Sequence, residues 1–291
     1  LVDIFVDWYT PIANVSSTIE YVHSQGRIPI ITWEPHGFTT VQIVEGTTKT
    51  PLRDGRSLSL RQYVQEFALG TCNAAKESSL PVFMRPIHEM NGHWFWWGVA
   101  FEDPSGKRPN TDESHKAAWR MIHETFEGRC GDRLEWVWAV NHFSTGGTSW
   151  MDTYPGAQYV DYVGIDGYNW GGNAGWGWKS FHTIFREPYC ALTESTSHPI
   201  LIAELGSTEK GGDKAAWITD AFGQVMSGKY PRVRGMVWFN DPKFEIEING
   251  NMDWPIDSSR RATEAFKESV TEVQHNSLEL ADPNAPTSVC G

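Results

Sequence analysis

The sequence lacks several features that would commit it to a membrane, to nucleic acid or to some common enzyme classes. No apolar run approaches the roughly 20 residues that a membrane-spanning helix needs. Basic residues are scarce, with 24 lysines and arginines against 36 aspartates and glutamates, which gives a net charge of -12. We therefore expect neither a membrane nor a nucleic-acid partner. A G-x-S-x-G elbow is also absent, so a serine hydrolase of that type has no nucleophile.

Cysteine and histidine give little support for a metal. The four cysteines contain no C-x-x-C pair and no zinc spacing; they are Cys72, Cys130, Cys190 and Cys290. An even number would allow three disulfide pairings in an oxidising compartment, and the sequence leaves the pairing open. His88 and His93 flank Glu89 in an H-E-x-x-x-H pattern, one residue longer than the zinc-peptidase motif H-E-x-x-H. We expect no metal and no organic cofactor.

Tryptophan, in contrast, is abundant, with 15 residues in a chain of 291. The core of one domain does not require so many. About half can be explained as bulky core residues, whereas the others suggest flat apolar surfaces on which sugar rings stack.

Short apolar, β-branched runs alternate with helical patterns along the chain. The predicted strands are Val2–Trp8, Ile28–Trp33, Val82–Pro86, Leu134–Val140, Val160–Ile165, Ile200–Ala203 and Val233–Phe239. The predicted helices are Val15–Gln25, Ser59–Ser78, Asp112–Phe126, Trp178–Thr193, Lys214–Gly228 and Arg260–Gln274. Because the strands are continuously apolar, they indicate a parallel sheet buried on both faces.

This alternation predicts an α/β protein with a (β/α)8 TIM barrel, and the doubly wound open sheet is the alternative. No Gly-rich fingerprint follows the first strands, which counts against a dinucleotide fold. The strand count is one short of eight, so we expect that the first barrel strand is missing at the N-terminus or has escaped detection. We predict a single catalytic domain over residues 1–274 and a loosely held C-terminal extension over residues 275–291.

Two carboxylates each close an apolar strand. Glu89 follows "VFMRPIH" and Glu204 follows "ILIA". In a (β/α)8 barrel the active groups lie at the carboxyl ends of the strands, and with one strand missing these residues end strands four and seven. Two such carboxylates can cleave a glycosidic bond, with one as the acid/base and the other as the nucleophile.

Four stretches resemble the glycoside hydrolase family 26 signatures. They are "MRPIHEMNGHWFWWG" at 84–98, "YVGIDGYN" at 162–169, "ILIAELGS" at 200–207 and "GMVWFND" at 235–241. The resemblance implies a retaining endo-β-glycanase, with Glu89 as the general acid/base and Glu204 as the nucleophile. It further implies that His88 and Trp94 border the sugar at the −1 position and that Tyr168 donates a hydrogen bond to Glu204.

Other strand ends and loops supply further candidates for sugar binding. These are Trp33, Glu34, Asn141 and Trp238 at strand ends, and Trp176 in the Gly-rich loop "NWGGNAGWGW" at 169–178. The aromatic run after Glu89 would favour its protonated form, whereas the Tyr168 hydroxyl or Arg85 would favour ionised Glu204.

The preferred substrate follows from one departure from the family pattern. Mannanases that the chain resembles usually carry Trp-His at the end of the third strand, whereas this chain has Trp33-Glu34. A change in one or two hydrogen-bonding groups can distinguish glucose from mannose, whose 2-hydroxyls differ in orientation. We therefore predict a lichenase, acting on mixed-linkage β-1,3-1,4-glucan. The alternatives are an endo-β-1,4-mannanase and a catalytically silent carbohydrate-binding barrel. We expect a secreted monomer whose partner is a polysaccharide.

Overall fold

The computed structural model describes residues 1–275 and 289–290. The chain forms two compact units, Leu1–Gly164 and Ile165–Gly291. The predicted domain bounds of 1–274 and 275–291 stay predictions. Among the helices of the described residues, none combines the length and the apolar character needed to cross a bilayer.

The first unit alternates strands and helices. Its elements are β1 (Val2–Asp7), α1 (Ile12–Ser24), β2 (Pro29–Glu34), α2 (Thr40–Glu45), β3 (Lys49–Pro51), β4 (Ser57–Ser59), α3 (Leu60–Lys76), β5 (Val82–Pro86), α4 (Asp112–Phe126) and β6 (Leu134–Asn141). The strands β1, β2, β5 and β6 lie side by side in that order and pair in parallel. Every residue of β2 and β5 is buried, as the continuous apolar runs predict.

The segment between β2 and α3 contains elements that the sequence did not reveal. The short helix α2 and the antiparallel pair β3–β4 lie there. The helix α2 has six residues and the strands β3 and β4 have three each, which is too short for a periodic apolar pattern to show. Capping residues at Thr39 and Ser59 define where α2 and α3 begin, because each hydroxyl accepts a hydrogen bond from a backbone N–H in the first turn.

The second unit continues the same alternation. Its elements are β7 (Tyr162–Asn169), which starts before the boundary, α5 (Phe181–Ser195), β8 (Ile200–Ser207), α6 (Lys214–Met226), β9 (Val233–Trp238), the small pair β10 (Phe244–Glu245) and β11 (Gly250–Asn251), and α7 (Arg260–His275). The strands β7, β8 and β9 are neighbours in that order. All of β8 is buried, so Glu204 lies within a strand with no solvent-exposed face.

Both disulfides lie within single units, and they resolve the pairing that the sequence left open. Cys72 pairs with Cys130 in the first unit and Cys190 pairs with Cys290 in the second. Residues 276–288 of the predicted loose extension lie outside the described residues. The described end of that extension is held to α5, because Cys290 is bonded to Cys190 and the Arg186 Nε donates to the Val289 carbonyl at 2.9 Å.

Candidate active site

The first unit fixes the Glu89 carboxyl through both of its oxygens. Asn141, at the end of β6, donates from Nδ2 to Oε1 at 2.7 Å. Trp94 donates from its indole Nε1 to Oε2, also at 2.7 Å. Only 7% of Glu89 is exposed, so these donors replace water that the carboxyl loses on folding. Asn141 and Trp94 are thus both in contact with the predicted acid/base, and their predicted contacts with sugar stay predictions.

The backbone around Glu89 adopts an unusual conformation. Glu89 has a φ of 51° and Ile87 a φ of 42°, both in the left-handed region that costs a non-glycine residue about 1–3 kcal/mol. Backbone hydrogen bonds hold this bend, since Ile87 N donates to the Trp33 carbonyl at 3.2 Å and Glu89 N to the Ala139 carbonyl at 2.9 Å. Such strain is typical of functional sites, where it aims a side chain that a regular strand would point elsewhere.

Asn91 connects the loop after β5 to the end of β6. Its Nδ2 donates to the Asn141 and Phe143 carbonyls, both at 3.0 Å, and its Oδ1 accepts from Asn141 N at 2.9 Å. Asn91 is fully buried. It therefore holds Asn141 in the position from which that amide reaches Glu89. Sequence reasoning missed Asn91, although it stands in the quoted "HEMNG" stretch.

The four aromatic residues after Glu89 have different surroundings. Trp97 is fully buried, stacks on Phe95 at 4.3 Å and donates from Nε1 to the His88 carbonyl at 2.6 Å. Trp96 is 40% exposed and meets the His36 ring edge to face at 5.5 Å. Trp97 is therefore a structural support for the loop, and Trp96 offers an open indole face.

His88 is buried among these rings. Its imidazole lies 5.1 Å from the Phe95 ring and 6.0 Å from the Trp97 ring, with 2% of the residue exposed. Its predicted contact with the −1 sugar stays a prediction.

The prediction that Trp33 binds sugar is wrong. Its side chain is fully buried, stacks on Phe67 at 4.0 Å and lies 4.7 Å from Trp8. Successive residues of a strand point to opposite faces, so Trp33 enters the core while Glu34 points the other way. Glu34 is 8% exposed and its Oε2 lies 3.2 Å from the His36 Nε2. Glu34 keeps its place among the candidates.

In the second unit, the Tyr168 hydroxyl donates to the Glu204 Oε2, as the family resemblance implies. Glu204 is 5% exposed. The Tyr168 ring lies between two aromatic side chains that sequence reasoning did not assign to the site, Trp254 at 5.0 Å and Phe239 at 5.8 Å. Gly206 makes this packing possible, since a Cβ there would lie 3.0 Å from the Tyr168 ring and 3.3 Å from the Trp254 ring.

The predicted contact of Trp238 with sugar stays a prediction. Its indole packs against Trp217 of α6 and Phe266 of α7, at 5.9 Å from each ring, and its Nε1 donates to the Trp254 carbonyl at 2.9 Å. It belongs to the interface between β9 and the helices. Because successive side chains point to opposite faces, the next residue, Phe239, is the one that contacts the Tyr168 ring.

Trp176 lies in the Gly-rich loop of the second unit with 46% of its surface exposed. Its ring is 6.5 Å from Trp170, and the Lys179 Nζ lies 5.7 Å from the ring centre. An exposed indole that is held from two sides suits sugar stacking, and this role stays a prediction.

Comparison with known proteins places these residues in a family context. The family model described as glycosyl hydrolase family 26 matches residues 32–209, a range that includes Glu89 and Glu204. The chain is 36% identical over 269 residues to Endoglucanase H of Acetivibrio thermocellus. The matched region covers 91% of this chain and 27% of that protein. The chain is 30% identical over 171 residues to a mannan endo-1,4-beta-mannosidase of Bacillus subtilis, which covers 57% of this chain and 41% of that protein. The chain thus spans well under half of either relative.

Solved structures show the fold. A Bacillus subtilis mannanase matches with a TM-score of 0.60 at 20% identity, over 92% of this chain and 76% of that one. A β-mannanase from Bacteroides ovatus matches with a TM-score of 0.62 at 17% identity, over 98% of this chain and 83% of that one. The predicted (β/α)8 barrel class is confirmed. Among the described residues, β1, β2, β5 and β6 pair in the first unit and β7, β8 and β9 follow in the chain, seven strands in agreement with the predicted lack of one barrel strand.

Gly92 provides a test of the Trp94 contact. A Cβ at Gly92 would overlap the Trp94 ring, whose indole N–H bonds to Glu89. We expect Gly92→Ala to displace that ring and lower kcat about tenfold or more, because small displacements in a site are costly. Steady-state kinetics on a β-glycan, with thermal unfolding to verify the fold, would measure this. The matched control is Gly223→Ala in α6, where a Cβ meets no heavy atom within 4 Å. Equal kcat for the two folded variants would contradict the role of the Trp94 contact.

Proposed function

The chain belongs to glycosyl hydrolase family 26, and on this basis we propose that it is a retaining endo-β-glycanase. The observation that carries the proposal is that two buried carboxyls, Glu89 and Glu204, each accept hydrogen bonds from side-chain donors. Glu89 follows β5 on a strained backbone with both oxygens bonded to side-chain donors, and buried Glu204 in β8 accepts from Tyr168. Buried carboxyls with such dedicated partners are costly for a fold and are typical of catalytic groups.

The proposed reaction has two steps. In the first, the Glu204 carboxylate attacks the anomeric carbon, the glycosidic C–O bond breaks, and Glu89 gives its proton to the leaving oxygen. In the second, the Glu89 carboxylate takes a proton from water, the water oxygen attacks the anomeric carbon, and the Glu204 carboxylate leaves. The two inversions together retain the anomeric configuration. Water is consumed in the second step: its oxygen bonds to the anomeric carbon, and one of its protons restores the acid form of Glu89 while Glu204 leaves as the carboxylate.

The proposed substrate is mixed-linkage β-1,3-1,4-glucan. Two points support it: the family resemblance implies histidine in mannanases at the position of Glu34, and the relative that aligns over 91% of this chain is named an endoglucanase. The second candidate is an endo-β-1,4-mannanase, because several other relatives carry the name mannan endo-1,4-beta-mannosidase. The presence of both carboxyls counts against a catalytically silent sugar-binding barrel.

Secretion is part of the proposal. Two disulfides within the described chain, Cys72–Cys130 and Cys190–Cys290, support folding in an oxidising compartment. An external location also suits a polysaccharide substrate. We propose that the protein acts as a monomer.

Replacing either carboxyl tests the roles. Glu204→Ala and Glu89→Gln should each lower turnover of polysaccharide by a factor of about 10³ or more, since each step of the reaction needs both groups. With a dinitrophenyl glycoside, whose leaving group needs no proton, Glu89→Gln should recover its glycosylation rate and Glu204→Ala should not. Stopped-flow release of dinitrophenolate measures this difference. The control is Glu187→Gln on the exposed side of α5. Near-normal polysaccharide hydrolysis by either variant would refute the assignment.

A parallel substrate assay tests the specificity. We expect reducing-sugar release from mixed-linkage glucan to exceed that from β-1,4-mannan and from β-1,3-xylan. Glu34→His should lower the glucan-to-mannan ratio of kcat/KM, because it changes a buried hydrogen-bonding group by which the two sugars can be distinguished. Mannan as the best substrate of the wild-type chain would favour the mannanase instead.

A further inference from the structure

Behind Glu204, a stack of side chains within the second unit supports the Tyr168 hydroxyl. The Tyr168 ring rests on Trp254 at 5.0 Å, and Trp254 is 1% exposed. Trp170 packs edge to face against the same indole at 5.5 Å. The position of the Tyr168 hydroxyl therefore depends on where Trp254 sits.

Trp254 comes from the loop that follows β11, and Lys214 holds that loop. Lys214 is the first residue of α6 and is fully buried. Its ammonium lies within hydrogen-bond distance of three consecutive carbonyls in the loop, Asp253 at 2.5 Å, Trp254 at 3.2 Å and Pro255 at 2.8 Å. It also bonds to the Ser258 Oγ at 2.8 Å. A buried cation that gathers three backbone carbonyls fixes the loop more tightly than neutral contacts would.

We propose that Lys214 is a positioning residue for the reaction: it fixes loop 253–258, which seats Trp254 behind Tyr168 and so keeps the Tyr168 hydroxyl on Glu204. This inference rests on the proposed function, because it gives Glu204 the role of nucleophile. Lys214 itself contacts neither Glu204 nor Tyr168 among the described hydrogen bonds, and it acts through the loop.

The positioning role of Lys214 depends on its positive charge. Burial lowers the pKa of its ammonium from the ordinary 10.5 to about 8, although the carboxylates of Asp253, Glu209 and Asp257 oppose that decrease. The Trp238 ring also faces the Nζ at 5.8 Å. The ammonium has three N–H groups to share among these four acceptors, whereas a neutral amine has only two.

The sign of the pH effect follows from the lowered pKa. Between about pH 8 and 10.5 the unfolded chain keeps a proton on Lys214 that the folded chain has lost. The titration of Lys214 therefore makes the free energy of unfolding rise between about pH 8 and 10.5, whereas the folded chain keeps the ammonium that holds loop 253–258 only below about pH 8.

A double-mutant cycle tests the proposal. The kcat of wild type, Lys214→Met, Tyr168→Phe and the double variant is measured near pH 6.5 on the best β-glycan substrate. We expect Lys214→Met to lower kcat about tenfold in the wild-type background and less than about twofold in the Tyr168→Phe background, since the first change acts through the second group. The control is Lys229→Met, whose Nζ bonds only to Gln224 among the described contacts and should leave kcat unchanged.

The outcomes separate this inference from the proposed function. Equal kcat losses from Lys214→Met in both backgrounds, or an unchanged kcat of the single variant Tyr168→Phe, would overturn the positioning role, while an inactive Glu204→Ala would leave the proposed function intact. An active Glu204→Ala would refute the proposed function itself. If Lys214→Met does not fold, Ser258→Ala replaces it in the same cycle, because it removes one partner of the ammonium and leaves the core packed.

A second readout does not use activity. Hydrogen–deuterium exchange of backbone amides in peptides covering 253–258 should increase at least several-fold in Lys214→Met and stay unchanged in Lys229→Met. Unchanged exchange of the loop amides in Lys214→Met would contradict the positioning role of Lys214.

Discussion

A buried carboxyl must find hydrogen-bond donors to replace the water it loses, and this constraint organises the first unit. Glu89 meets it through Asn141 and Trp94, and both donors depend on further contacts. Asn91 fixes Asn141 through the backbone, and Gly92 leaves room for the Trp94 ring. The strained bend at Glu89 persists because these bonds and the backbone bonds to β2 and β6 hold it.

The second unit meets the same constraint with a different set of residues. Glu204 accepts from a phenol whose ring is packed between Trp254 and Phe239. Support comes from Lys214, a cation that bonds to a loop and not to the carboxyl. Two chemically equal carboxyls thus receive different donors, an amide and an indole in one unit and a hydroxyl in the other. Such differences in surroundings are how a fold assigns different roles to identical groups.

Much of the fold and the two carboxyls could be predicted, because apolar runs that end in polar residues are a local signal. Each strand and helix predicted from the apolar runs overlaps a strand or helix of the structure. The hydrogen bond from Tyr168 to Glu204 followed from the family resemblance. The prediction for Trp33 was wrong because a strand end offers two faces, and only the structure shows which residue of the pair enters the core. Asn91, Lys214 and Trp254 were missed because they act through backbone carbonyls or ring packing, which leave no pattern in the sequence.

Glu204 is proposed to be the nucleophile of a covalent mechanism, and trapping the intermediate tests this role most directly. A 2-deoxy-2-fluoro glycoside with a good leaving group slows the second step, so the glycosyl-enzyme ester accumulates. Mass spectrometry of the digested protein should locate one glycosyl group on the peptide that contains Glu204, and Tyr168→Phe should form the same ester more slowly. An active enzyme that forms no ester, or an ester on Glu89 or another residue, would contradict the account.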